Sequence, residues 1–177
     1  MTTWQIDPAH TTVEFSVKHM MFTTVRGRFT SLKGTINADE QNPSRSTVTV
    51  EIQASSIDTG VGDRDNHLRS ADFLDVEKFP TITFRSKRVE GAANKEGDRF
   101  KVTGDLTIHG KSIEVTFDAT YGGQGKDPWG KQRAGASAKT EIDRREWGLQ
   151  WNQALETGGI LVGNTLKIDI DVQAVKE

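Results

Sequence analysis

The chain contains no cysteine. Disulfides, thiolate nucleophiles and thiolate metal ligands are therefore excluded, and neither a reducing nor an oxidising compartment is indicated. It also lacks any apolar run near the roughly 20 residues that a membrane-spanning helix needs, so no membrane span is expected. An excess of charge is missing too: 23 Lys plus Arg face 25 Asp plus Glu, for a net charge of −2. With no field of one sign to gather it, nucleic acid is not an expected partner. The first residues, MTTWQIDPAH, have neither a basic n-region nor an apolar h-region, and a cytoplasmic protein is expected from them. No GxSxG elbow, HExxH helix, EF-hand loop or Gly-rich phosphate loop occurs, and the GVG at Gly60 to Gly62 is too short to count. Neither an enzyme nor a cofactor is implied.

What the chain does contain is period-two alternation from end to end. Apolar residues recur at Val13, Phe15 and Val17; at Leu32 and Ile36; at Val48, Val50 and Ile52; at Ile82 and Phe84; and at Phe100, Val102, Leu106 and Ile108. The pattern resumes at Ile113, Val115 and Phe117 and at Leu166, Ile168, Ile170 and Val172, with polar residues between and turn signals such as NPSR, HGKS and GGQGKDPWG separating the runs. With RAGASAKTEI added, these runs predict about eight antiparallel strands, each with one buried face. Such strands must close or stack to protect their edges, and their length favours a barrel over a sandwich. All 177 residues fit one domain, 1–177.

In RAGASAKTEI the positions in phase with Ile142 are Ala134, Ala136, Ala138 and Thr140. An inward row of alanines fills little space, and Gly34 and Gly104 on the apolar phase of their strands add to the deficit, so an internal cavity is expected. The opposing reading is that Phe84, Phe117 and Trp151 reach across and fill it. Trp129 and Trp147, beside turn residues, are expected to plug the barrel ends.

DRDNHLRSADFLDVEKFP, Asp63 to Pro80, breaks the two-residue period, and Leu68, Phe73 and Leu74 recur nearer helical spacing. Asp63 or Asp65 would cap a helix, Ser70 and Asp72 would begin a second turn, and Pro80 would return the chain to an extended strand. The segment, about residues 63–76, reads as a helical cover over one barrel mouth. Its Asp63, Asp65 and His67 lie two apart and do not share a helix face, which argues against a metal site. His19, in phase with Val17, would point inward at a strand end, whereas His109 lies in a hairpin turn. Arg64, Arg69 and Arg144 could meet a ligand headgroup, but pairing with Asp65, Asp72 or Asp143 is the favoured expectation. An enzyme reading would use His67 with Asp65, and a third reading is a filled barrel that works through its surface alone.

Six stretches, WQIDPAHTTVEFSVKHM, VRGRF, DRDNHLRSADFLDVEKFPTITFRS, LTIHGKS, DPWGKQRAG and IDRREWGL, together resemble the YceI-like proteins over nearly the whole chain and in the expected order. The resemblance implies a lipocalin-like antiparallel β-barrel of eight strands around an internal apolar tunnel. It also implies binding of a polyisoprenoid or an isoprenoid quinone in that tunnel, often by a homodimer, with no established catalytic residues. Candidate ligand-binding residues are Phe15, Val17, His19, Phe22, Phe29, Val50, Ile52, Phe84, Leu106, Phe117, Ala136, Ala138, Trp151 and Ile168, with His67, Leu68 and Phe73 from the cover.

Overall fold

The computed structural model describes residues 1–91, 93–156 and 158–177. Its strands are β1 Thr2–Ile6, β2 Thr12–His19, β3 Thr23–Phe29, β4 Leu32–Ala38, β5 Thr47–Gln53, β6 Ile57–Asp58, β7 Thr81–Gly91, β8 Arg99–Ile108, β9 Lys111–Lys126, β10 Gln132–Asp143 and β11 Thr165–Lys176, with one α-helix, α1, at Gly62–Arg69. Three pairs of segments are single passes of chain bent in the middle. β1 and β2 meet at a 3₁₀ turn, Pro8–His10, β3 and β4 at Thr30 and Ser31, and β5 and β6 at the 3₁₀ turn Ala54–Ser56.

The bends lie side by side. On one side of them β1 pairs with β4 and β4 with β5; on the other, β2 pairs with β3 and β3 with β6. With each bent pass counted once, the strands form a closed eight-stranded antiparallel barrel. β11 closes it, matching Ala138 to Ile170 across β10, Ile6 to Ala174 across β1 and Phe15 to Ile168 across β2. Closure gives every strand but the two-residue β6, paired with β3 alone, a partner on both sides, which protects the long edges from recruiting another chain.

Local chemistry explains the first bend. Pro8 supplies no N–H to a ladder, and the Asp7 carboxylate accepts from Ala9 N at 3.0 Å to hold the turn. A second irregularity, a bulge between Ser86 and Arg88, lies across from Gly104, where a Cβ would overlap the Arg85 carbonyl oxygen. A Cβ on Gly34 would fall 2.6 Å from Ile6 Cδ1. Both glycines permit close approach of neighbouring groups, so they do not leave the empty space expected of them.

Past its bend the β5–β6 pass leaves β7 and enters the cover. The helix is shorter than the expected 63–76: it stops at Arg69, and residues 71–74 and 76–78 are turns. Neither expected cap forms, because Val61 holds the N-cap position. Asp65 lies inside the helix, buried, and ties it back to β6 by accepting from Thr59 N at 2.9 Å and Thr59 Oγ1 at 2.5 Å. Leu74 then joins the buried cluster of Ala54, Ile57, Trp147 and Leu149, and Phe73, also buried, packs against His67 and Trp151. Trp147 is only 1% exposed and donates its indole N–H to the Leu106 carbonyl at 2.9 Å. Trp129, the other expected plug, projects from the Asp127–Gly130 turn and is 81% exposed. Among the described residues no helix is long and apolar enough to cross a membrane.

Candidate functional site

Alternation turns every second strand residue inward, and in a barrel packed to ordinary density those residues would lose nearly all solvent contact. Here Phe15, Phe29, Val50, Phe84, Ile168, Ile170 and Val172 line the interior yet are only half-buried. The surface they expose belongs to a cavity of about 600 Å³. That volume suits a small molecule, for which sites of roughly 300–1,000 Å³ are usual. The lining runs the length of the barrel, from Leu68, Phe73, Leu74 and Leu149 under the cover to Ala38, Pro43, Phe100 and Tyr121 at the far end.

β10 makes the room. Its Ala134, Ala136 and Ala138 all line the cavity, and Ala138 stands between Ala119 of β9 and Ile170 of β11. Thr140 does not; its hydroxyl donates to the Thr116 carbonyl at 2.9 Å. The large side chains narrow the cavity without closing it, as an edge-to-face Phe84–Phe117 pair at 5.3 Å and a tilted Phe15–Phe29 pair at 5.7 Å.

Among the candidate residues, Phe15, Val17, Phe29, Val50, Ile52, Leu68, Phe73, Phe84, Leu106, Phe117, Ala136, Ala138 and Ile168 line the cavity. His19, Phe22, His67 and Trp151 do not. His19 lies where β2 outruns the cavity and bridges to Val162 instead. Phe22 is 79% exposed at the hairpin tip, because Met20 and Met21 turn the chain there with positive φ of 50° and 65° and end the alternation. His67 bonds through Nε2 to Asp72 at 2.8 Å, and its ring meets Trp151 at 4.6 Å and Phe73 at 5.1 Å. His67 and Trp151 thus support Phe73, which faces the cavity in their place. The His67–Asp65 pair required by the enzyme reading is not formed: two residues apart on α1, they point to different sides, His67 to Asp72 and Asp65 to Thr59. His109 packs against Phe79 at 4.6 Å in its hairpin. Among the described residues, no group of three His, Asp or Glu side chains converges.

The three arginines also depart from expectation. Arg64 donates to Thr59 Oγ1 and to the Thr59 carbonyl, and Arg69 to the carbonyls of Ser55 and Ile57. Arg144 donates to the carbonyls of Gly163 at 2.8 Å, Leu149 at 2.6 Å and Val162 at 3.4 Å. None pairs with the expected acid, because loop carbonyls left without ladder partners compete for the guanidinium groups. Asp143 is bound by Arg145 at 2.6 Å instead, which holds its carboxyl down at about 2. Arg144 lines the cavity, the place that the less favoured headgroup reading requires, and it continues the inward phase of Ala136, Ala138 and Ile142. At the far end, burial pushes the Tyr121 phenol up, and the charge of Glu40 adds to the shift.

A sequence profile of the YceI-like domain matches residues 4–174. Protein YceI of Salmonella newport is 43% identical over 140 residues, covering 79% of this chain and 71% of that protein. The YceI protein of Campylobacter jejuni, at 31% identity, superposes with a TM-score of 0.75 over 90% of each chain. A polyisoprenoid-binding domain from Saccharophagus degradans, implicated in plant cell wall breakdown, superposes with a TM-score of 0.73 over 98% of each chain; at 13% identity the likeness is one of fold. Profile, relatives and barrel coincide along nearly the whole length, and on that ground the chain belongs to the YceI-like family.

Proposed function

We propose that the protein binds a polyisoprenoid or an isoprenoid quinone in its barrel, for transport, storage or sensing. The observation that carries this reading is the cavity itself: about 600 Å³, lined by carbon over most of its length and continuous from the cover to the far end. Twelve residues of β10 span about 30 Å along the barrel axis at roughly 3.3 Å per residue and 40° tilt, enough for several isoprene units end to end. Burying one five-carbon unit contributes about 4 kcal/mol before ordering costs, so the tail would dominate affinity. The binding of polyisoprenoid by the similarly folded Saccharophagus domain supports the same class. Binding is favoured over catalysis because His67 and Asp65 face neither each other nor the cavity.

Mass spectrometry of organic extracts from natively purified protein tests the proposal. A stoichiometric isoprenoid lipid is expected. Extracts without one, from protein that also fails to take up geranylgeraniol on titration, would overturn it. Cell fractionation and sedimentation mass check the proposed cytoplasmic placement and homodimer.

A further inference from the structure

Arg144 is 3% exposed and lines the cavity next to Phe73, Leu149 and Val162. Among the described residues it has no carboxylate partner: Asp143, its neighbour in sequence, is engaged by Arg145 through both Nε and Nη2. A guanidinium has five N–H donors. Three carbonyls take one donor from each nitrogen, and the contact to Val162 O is the weakest at 3.4 Å, because Asn152 Nδ2 already donates to that oxygen at 2.7 Å. Both terminal nitrogens therefore retain donor capacity. The face of the group is set 5.9 Å from the Phe73 ring centroid. The charge of Asp143 reaches it without a hydrogen bond and is shared with Arg145, so the buried cation is only partly compensated, and an anion entering the cavity would complete it.

The other end has the opposite character. Asp39 and Glu40 line it; Asp39 faces Arg45 at 3.6 Å, whereas the charge of Glu40 reaches Tyr121. An anion is disfavoured there.

Resting on the lipid-binding reading above, we propose that Arg144 is the headgroup anchor of the cavity: it receives an anionic oxygen headgroup, phosphate or carboxylate, under the cover, while the apolar tail extends toward Tyr121. The test measures affinities of the wild-type protein for geranylgeranyl phosphate and geranylgeraniol, and for palmitate and hexadecanol. It also follows the Arg144 ¹⁵Nε resonance during each titration. The anionic member of at least one pair is expected to bind about tenfold or more tighter than its alcohol and to shift that resonance, which the alcohol leaves in place. A preference in both pairs assigns the shared charge; a preference in one assigns phosphate or carboxylate. In Arg144→Gln the ratio is expected to fall to about one, and Arg144→Lys to restore part of it; should either variant misfold, the wild-type ratio and resonance decide. Equal binding of acid and alcohol, or an anion preference that leaves the Arg144 resonance unmoved, overturns the anchor and leaves the apolar tunnel standing. Failure of all four ligands to bind overturns both.

Discussion

Replacing Ala138 with tryptophan puts the cavity to a direct test. Ala138 lies midway along β10 between Ala119 and Ile170, and its methyl group lines the void. An indole carries about as many heavy atoms as two isoprene units, so it would displace at least one unit from a space of about 600 Å³. Loss of one unit forfeits about 4 kcal/mol of burial, and each 1.4 kcal/mol is a factor of ten. Part of that is returned because a shorter bound tail loses less freedom, so affinity is expected to fall about 100-fold or more. The fold should survive, because overpacking costs of about 1–3 kcal/mol arise when a core has no room, and this one has room. Calorimetry with geranylgeraniol reads the affinity, and thermal melts read the fold. Bound ligand should raise the wild-type Tm, as 100 Kd of free ligand adds about 2.7 kcal/mol, and leave the variant's unchanged. Lys139→Trp, one residue along and facing outward, should bind as wild type does. A folded Ala138→Trp protein that binds within about threefold of wild type would refute the reasoning, either in the strand phase or in the role of the cavity.

Trp147→Phe removes the N–H that satisfies the Leu106 carbonyl and should destabilise the barrel by about 1–3 kcal/mol in urea unfolding, with little change in ligand affinity. Gly104→Ala should cost about 1–3 kcal/mol, because its Cβ meets the Arg85 backbone at the β7 bulge, where no flexible side chain can yield. Asp7 accepts from Arg133 and His10, contacts that hold its carboxyl at about 2 instead of 3.8. Its depressed folded-state value means that its contribution, on the order of 1 kcal/mol once partial exposure is allowed for, is present above about pH 4 and lost as pH falls toward 2. Arg133→Met should therefore raise the Asp7 carboxyl resonance midpoint toward 3.8 and flatten the acid limb of the stability curve.

The barrel was legible because its information is local. Period-two alternation with one apolar face requires closure, and the β10 alanines announce a void, since side-chain volume and strand phase can both be read from one short window. Phase placed Phe84, Phe117, Ala136 and Ala138 correctly in the cavity lining, but not Thr140, whose hydroxyl donates to the Thr116 carbonyl instead. Where the strand ended, phase stopped being informative: His19 and Phe22 lie beyond the cavity because the β2–β3 hairpin outruns it and turns at Met20 and Met21. Arg144 continues the inward phase of β10, but sequence proximity favoured an acidic partner over the cavity that it lines.

By itself, then, the sequence determined that eight long strands would close around a poorly filled interior, and most of the strand residues that would face it. Tertiary structure alone decided how the two ends differ. Whether Phe73 or His67 faces the cavity, and whether Arg144 meets Asp143 or the carbonyls of Gly163, Leu149 and Val162, depends on groups brought together from distant parts of the chain. Such choices follow from which backbone carbonyls the fold leaves without partners, and no local pattern of residues encodes that.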